Sequence, residues 1–209
     1  MLAHHRVAIG FAWLSLTMST CAAPPHAESR PVYGRDWWLS ITDAERSGFI
    51  VGFLDCYGAE HAGPARFTTK SYDRYRDLVT NAFRRDSPRP GIAVAKVIEL
   101  LGDKPGETAE NPGGEPTTDP HSGNDGLYWM QMSVDTAGHD EQRGFVEGFL
   151  DCHSAADRDK SASFSKSADS YVALIDRWYR YDRNTGDIDG DRQPRPIADA
   201  LLDQRDRVR

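Results

Sequence analysis

The sequence is poor in several features that would point to a function. Only three of its 209 residues are cysteine, and its 25 Lys and Arg are outnumbered by 32 Asp and Glu. The resulting net charge of −7 argues against nucleic acid or an anionic membrane as the main partner. Beyond one stretch near the N-terminus there is no long apolar run, which excludes a polytopic membrane protein. No catalytic motif is recognisable, so we predict a protein that is not an enzyme and has no cofactor.

The overall composition is that of a folded chain. Hydrophobic residues make up 39%, and the 18 glycines bring the share to about 48%, the usual range for soluble globular proteins. A wholly disordered chain is therefore excluded.

Residues 1–27 are typical of a bacterial export signal. They carry Arg6 and no acidic residue, and their apolar stretch, Val7 to Met18, is too short to span a bilayer as a mature helix. Cleavage near Ala22 or Ala27 would release the chain, whereas the run LTMSTC resembles a lipobox and would make Cys21 the lipidated residue. We expect a periplasmic or envelope location, with membrane contact only through a lipid at Cys21; a cytosolic chain is the remaining alternative.

An internal duplication is the strongest signal in the sequence. Residues 48–56, GFIVGFLDC, and 144–152, GFVEGFLDC, are identical at seven of nine positions, at a shift of 96. A Pro-Arg-Pro triplet recurs at 88–90 and 194–196, at a shift of 106, so the second copy carries ten extra residues within 181–192. The shift of 96 also pairs Ser71 with Ser167, Tyr75 with Tyr171, Leu78 with Leu174 and Phe83 with Tyr179.

The duplication and the changes in composition divide the chain into six parts. The segment between the copies is rich in Gly, Pro and acidic residues and almost without apolar ones, which is typical of a flexible linker. The predicted parts are a signal over 1–27, a disordered segment over 28–36, repeat 1 over 37–101, the linker over 102–126, repeat 2 over 127–204 and a charged tail over 205–209.

Each copy is predicted to form three helices, and the absence of period-two alternation makes the fold class all-α. The first helix should start at Thr42, which has capping-box spacing with the glutamate three residues later. The second should start at Ser71, a preferred N-cap residue. The third should have Pro90 or Pro196 near its first position and, in copy one, end at Gly102.

Four glycines lie in the interior of the predicted first helices: Gly48, Gly52, Gly144 and Gly148. Each costs a helix about 1 kcal/mol relative to alanine. Close approach of another helix would offset that cost through dispersion contacts at short interaxial distance. Because a unit of about 65 residues is only marginally stable alone, we expect the copies to share one core about a pseudo-twofold axis.

Cys56 and Cys152 occupy equivalent positions of the two copies. In an oxidising compartment an isolated pair predicts a disulfide, which requires the C-terminal ends of the two helices to meet. If the glycine faces cross in antiparallel fashion instead, both residues are buried thiols. A Cys-His nucleophile with His153 is disfavoured, because adjacent residues on a helix point about 100° apart.

Asp55 and Asp151 are unusual because an acidic residue near a helix C-terminus opposes the helix dipole. Arg89 and Arg195 of the Pro-Arg-Pro triplets would supply the missing positive charge. We therefore predict two structural ion pairs, Asp55 with Arg89 and Asp151 with Arg195. A metal site formed by the two aspartates and His153 is an alternative, although the ligand spacing is not diagnostic.

Paired aromatic residues precede each copy: Trp37 and Trp38 in the first, Tyr128 and Trp129 in the second. Residues of this kind commonly close a core at the start of a helix. The alternative is that they stack on sugar rings, which requires the three tryptophans to be exposed.

The order of these patterns resembles the Rap/Tai-type immunity proteins. The carriers of the resemblance are Phe49, Gly52, Phe53, Asp55, Tyr75, Leu78, Val79, Phe83, Pro90, Ala93 and Val97, and in copy two Phe145, Gly148, Phe149, Asp151, Tyr171, Leu174, Ile175, Tyr179, Pro196 and Ala198. The resemblance implies a small helical periplasmic protein that binds and blocks a peptidoglycan amidase. This chain differs in being duplicated and in lacking a cysteine at the end of the third helix.

Two functions follow as hypotheses. The first is an exported, non-catalytic helical protein that binds another protein in the cell envelope, immunity-like if the resemblance extends to function. The alternative is a peptidoglycan- or glycan-binding module that uses the paired aromatic residues.

Overall fold

The computed structural model describes residues 33–60, 67, 69–85, 91–104, 107, 124–132, 136–156, 164–179 and 195–204. All of them belong to one compact unit, Pro31–Arg209. Within these residues the protein is all-α, with no strand and one isolated bridge between Asp125 and Pro196. The helices are α1 (Arg35–Ser40), α2 (Asp43–Glu60), α3 (Tyr72–Arg84), α4 (Val94–Leu101), α5 (Gly126–Met132), α6 (Thr136–Ala156), α7 (Ala168–Tyr179) and α8 (Ile197–Asp203).

The N-terminal caps predicted from the sequence are confirmed. The hydroxyl of Thr42 accepts a hydrogen bond of 3.1 Å from the backbone N–H of Glu45 at the start of α2. The hydroxyl of Ser71 accepts one of 3.2 Å from the N–H of Arg74 at the start of α3. Each bond satisfies a donor that the helix itself leaves unpaired.

The prediction of three helices per copy is wrong, because a fourth, short helix precedes each. The short helix α1 begins at Arg35, inside the segment 28–36 for which no order was predicted. Its counterpart α5 begins at Gly126, the last residue of the predicted linker. Helices of six or seven residues are marginal alone, and here their tryptophans anchor them in the core.

The start of the last helix agrees with the prediction in the second half and differs from it in the first. Pro196 is the N-cap of α8, directly before its first residue, whereas α4 begins at Val94, four residues after Pro90. Each of these helices is held by the segment ahead of the short helix. The N–H of Val94 donates to the carbonyl of Tyr33, and that of Ile197 to the carbonyl of Asn124, both over 2.8 Å.

The two halves contribute to one hydrophobic core. The long helices α2 and α6 pack against each other along its middle, α3 covers α2, and α7 covers α6. The last helices reach across, α4 to α6 and α8 to α2. The largest fully buried side chains include equivalent pairs from both halves: Trp38 and Trp129, Phe49 and Phe145, Tyr75 and Tyr171, Phe83 and Tyr179.

Several predictions lie outside the described residues. They are the signal over 1–27 with Cys21, most of the linker, the ten-residue insertion, Arg89 and the tail over 205–209. Of the helices that the structure describes, none combines the length and apolar character needed to cross a bilayer.

Candidate functional site at the crossing of the central helices

The glycines of α2 and α6 are where the two backbones approach most closely. A Cβ added to Gly52 would collide with the backbone of Phe145, reaching 2.9 Å from its Cα. The same addition at Gly148 would collide with the carbonyl of Phe49 and lie 2.9 Å from the nitrogen of Phe53. Real Cβ atoms are not found at such distances, so neither position admits a side chain without moving a helix.

The contacts of the glycines are reciprocal. Gly48 lies on the carbonyl of Glu141, and Gly144 lies on the carbonyl of Glu45. Glu45 and Glu141 are themselves equivalent by the shift of 96. Because early residues of α2 meet early residues of α6, and late residues meet late ones, the two helices run in the same direction.

Cys56 and Cys152 lie at the C-terminal end of this crossing. The structure pairs their sulfurs as a disulfide, with Cα atoms 6.1 Å apart, within the ordinary range for such bonds. Both residues are buried. The parallel direction of the helices produces this pairing, whereas the antiparallel alternative would have separated the two thiols.

Of the two predicted ion pairs, Asp55 with Arg89 lies outside the described residues because of Arg89, and Asp151 with Arg195 is not formed. Asp55 is fully buried and accepts a hydrogen bond of 3.3 Å from the side-chain amide of Asn124. Arg195 does not pair with Asp151: it is exposed, with its guanidinium 5.8 Å from the centre of the Trp178 ring. In the second half the Pro-Arg-Pro triplet was a misleading signal, because α8 begins at the residue after the triplet and Arg195 is exposed.

Two acidic side chains meet at the other end of the crossing. Glu45 of α2 and Glu147 of α6 are 6% and 4% exposed, and the charge of each carboxyl group affects the other. Arg143 faces both, with its Nε 3.6 Å from Glu45 Oε1 and 3.3 Å from Glu147 Oε1. The sequence reading missed this pair; the signal was that Glu147 stands where repeat 1 has Val51.

Burial changes the titration of these carboxyl groups. It raises the pKa of Glu147 to about 8, against the opposing effect of Arg143 and with a further contribution from Glu45. The pKa of Glu45 is also raised, again mainly by burial. The crossing therefore contains a buried proton-binding group.

Trp38 of α1 and Trp129 of α5 correspond at a shift of 91, not the 96 of the longer helices, and both are fully buried. The indole N–H of Trp38 donates over 3.1 Å to Thr80 Oγ1, and that of Trp129 donates over 2.8 Å to Asp176 Oδ1. Thr80 and Asp176 are equivalent by the shift of 96. The two tryptophans belong to the core, as the favoured interpretation expected, and for them the alternative of stacking on a ligand is wrong.

Trp37 and Tyr128 are half-buried rather than open. The ring of Trp37 lies 5.2 Å from that of Phe49 and 4.4 Å from that of Tyr33, centre to centre. The hydroxyl of Tyr128 donates over 3.1 Å to Glu141 Oε1. Both side chains thus cover the start of a long helix.

His153 is buried beside the disulfide and lies against Glu60, with Nδ1 and Oε1 2.9 Å apart. Its ring stacks on Phe149, 6.4 Å between centres, and meets Phe164 edge-on at 5.0 Å. In the part of the chain that the structure describes, no group of three His, Cys, Asp or Glu side chains could hold a metal ion.

A second buried polar cluster ties the residues after α4 to α3. Asp103 accepts hydrogen bonds from the backbone N–H of Thr69 over 3.0 Å and from the hydroxyl of Tyr75 over 2.8 Å. Lys70 Nζ lies 3.3 Å from Asp103 and 2.8 Å from Glu107. Burial, together with Asp103, raises the pKa of Tyr75 far above its usual range.

The crossing therefore offers two kinds of chemistry: a covalent link between two parallel helices, and a pair of buried carboxyl groups. No protein-family model, curated protein or solved structure matches this chain.

Proposed function

We propose that this chain is an exported, non-catalytic helical protein that binds another protein in the cell envelope. The observation that carries the proposal of export is the buried pairing of Cys56 with Cys152 at the centre of the fold. Such bonds persist in oxidising compartments and are rare where thiols are kept reduced. The export signal over residues 1–27 agrees with this location.

We further propose that the fold consists of two four-helix repeats related by a pseudo-twofold axis through the α2–α6 crossing. The reciprocal glycine contacts support this arrangement. So does the equivalence of the hydrogen bonds that Trp38 and Trp129 make. A rigid, cross-linked scaffold of this kind loses little conformational entropy on binding, which favours recognition of a protein partner.

Two exposed leucines support a partner-binding surface. Leu100 of α4 is 66% exposed and Leu127 of α5 is 41% exposed. Leu127 stands two residues before Trp129, where repeat 1 has Asp36 two residues before Trp38. Both positions are exposed, so the second half has an apolar side chain in contact with water where the first half has a charged one. The two leucines are the large apolar side chains that lie open to water among the described residues, and covering such a side chain with a partner is favourable. The burial of Trp38 and Trp129 leaves the glycan-binding alternative only the half-buried Trp37 and Tyr128 as stacking residues.

The partner can be sought by photocrosslinking in intact cells. A photoreactive phenylalanine analogue is placed at Leu100 or Leu127 of the full chain, and at exposed Asn81 of α3 as the control. A discrete adduct from the leucine positions, absent at Asn81, would support the proposal. Equal labelling at all three positions, or none, would count against it. The glycan-binding alternative predicts instead that the chain sediments together with purified peptidoglycan.

The location is tested separately. Fractionation of cells that express the full chain should place it in the periplasm or the envelope. Mass spectrometry of the mature N-terminus then distinguishes lipid on Cys21 from cleavage near Ala22 or Ala27. Recovery of the chain from the cytosol with an intact N-terminus would refute export.

A further inference from the structure

The Glu45–Glu147 contact joins two acidic side chains across the interface of α2 and α6. Both are more than nine-tenths buried, and one oxygen of each lies beside the same atom, Arg143 Nε, at 3.6 Å for Glu45 and 3.3 Å for Glu147. Two ionised carboxylates held this close offer acceptors only, whereas a proton on one of them supplies a donor.

The charges around the pair do not compensate two ionised carboxylates. Arg143 of α6 is the cation that faces both, and its side chain is 43% exposed, which lets water weaken its effect. Asp140 of α6 and Asp169 of α7 add negative charge on the same side. One partly hydrated cation therefore faces four acidic groups.

The oxygens of the pair are also under-satisfied. Glu45 Oε1 and Glu147 Oε2 are buried and have no hydrogen-bond partner in the described part of the chain. An ionised carboxylate in that position is strongly disfavoured. Packing alone does not require an acid there, because the equivalent position in repeat 1 is filled by the buried Val51.

We propose that Glu45 and Glu147 share one proton and form a pH-sensitive contact that holds α2 against α6 while one of them is protonated. When the proton is lost, two like charges lie buried at the interface and the crossing weakens. A protein of the cell envelope experiences the external pH, so this contact would make the fold less stable in alkaline surroundings. The pH dependence itself holds wherever the protein resides.

The direction of the effect follows from the titration of the folded chain. A carboxyl whose pKa is higher in the folded than in the unfolded protein contributes stability below its unfolded pKa, about 4.5. That contribution is lost as the pH rises through the folded value, which is about 8 for Glu147. Stability should therefore fall between about pH 5 and about pH 9, opposite to the usual behaviour of an ion-paired carboxylate.

The test is urea unfolding of the full, disulfide-intact chain at several pH values across that range. The denaturation midpoint of the wild-type chain should fall as the pH rises. Glu147→Gln, which cannot ionise, should flatten this dependence. Glu99→Gln removes an acid that pairs with Lys96 on the surface, and it should retain the wild-type slope. A Glu147→Gln chain with an unchanged slope would overturn the proposal.

A second measurement needs no variant. Infrared spectra of the wild-type chain near neutral pH should contain the absorption of a protonated carboxyl, because ordinary exposed acids are ionised there. Raising the pH through about 8 should remove the absorption reversibly. Its absence at neutral pH would refute the shared proton even if the glutamine variants fail to fold.

Discussion

Cys56 and Cys152 are 96 residues apart in sequence, hold equivalent places in the two repeats, and have Cα atoms 6.1 Å apart. In the proposed arrangement, a residue that contacts its own equivalent lies on the two-fold axis between the copies. The helices that carry the two cysteines run in the same direction, with their glycine faces in contact. A single bond therefore closes the C-terminal end of this glycine-lined interface.

Removal of the disulfide should destabilise the protein substantially. A bond that closes a loop of this length contributes about 4 kcal/mol in the chain-entropy model. We expect the double variant Cys56→Ala, Cys152→Ala to lose stability of that order in urea unfolding. A reductant added during unfolding should lower the urea midpoint of the wild-type chain by a similar amount. The same reductant should leave the midpoint of the double variant unchanged.

The oxidation state can be read directly. Protein recovered from the periplasm, alkylated without reduction and analysed by mass spectrometry, should carry no label at Cys56 or Cys152. Two labelled thiols in the exported protein would show that the bond does not form in the cell.

Gly148→Ala should be among the most damaging single substitutions in α6. The new methyl group would meet the backbone of Phe49, which cannot move without shifting α2. Overpacking of this kind costs about 3 kcal/mol. Gly58→Ala, at an exposed position of α2, is the control and should gain up to about 1 kcal/mol from helix propensity. Thermal and urea unfolding would measure both; equal effects would show that the crossing tolerates a side chain.

Asp176→Ala should destabilise the protein by removing the hydrogen bond that anchors Trp129 of α5 in the core. The substitution leaves the buried indole N–H of Trp129 without its acceptor at 2.8 Å, which costs about 1–3 kcal/mol. Asn81→Ala, at an exposed position of α3, should change stability by less than about 0.5 kcal/mol. Tryptophan fluorescence during unfolding would report both the stability and the local environment.

Asp103→Ala should weaken the attachment of the residues after α4 to Thr69 and Tyr75. The substitution leaves the hydroxyl of Tyr75 and the backbone N–H of Thr69 without their acceptor, while Lys70 keeps Glu107 at 2.8 Å. The expected cost is about 1–3 kcal/mol. Asp77→Ala removes an exposed acid that pairs with Arg76 and should have an effect near zero. Proteolysis after α4 should become faster in the Asp103 variant and remain unchanged in the control.

Half of the chain should not fold alone. Residues 34–104 contain α1 to α4, but without α6 the glycine face of α2 is open to water. We expect this fragment to unfold without cooperativity or to associate, as followed by circular dichroism and sedimentation. A monomeric fragment with a sharp unfolding transition would show that the halves are independent.

Local signals accounted for the longer helices. Thr42 and Ser71 cap their helices as predicted, since capping depends on residues three apart in sequence. The short helices α1 and α5 escaped prediction because six or seven residues carry too little periodicity to recognise. The sequence marks their tryptophans as unusual. The side chains that accept hydrogen bonds from the two indole N–H groups, however, lie 42 and 47 residues away in sequence.

The amino-acid sequence by itself determined the all-α class, the duplication, the helix caps and the need for a close partner at the four glycines, because each depends on spacing along the chain. Only the tertiary structure decided the parallel direction of α2 and α6, the orientation of Arg195 away from Asp151 and the meeting of Glu45 with Glu147. Those features depend on which helix faces meet in space. The energy of a buried charge or a backbone contact is set by that neighbourhood and not by sequence distance.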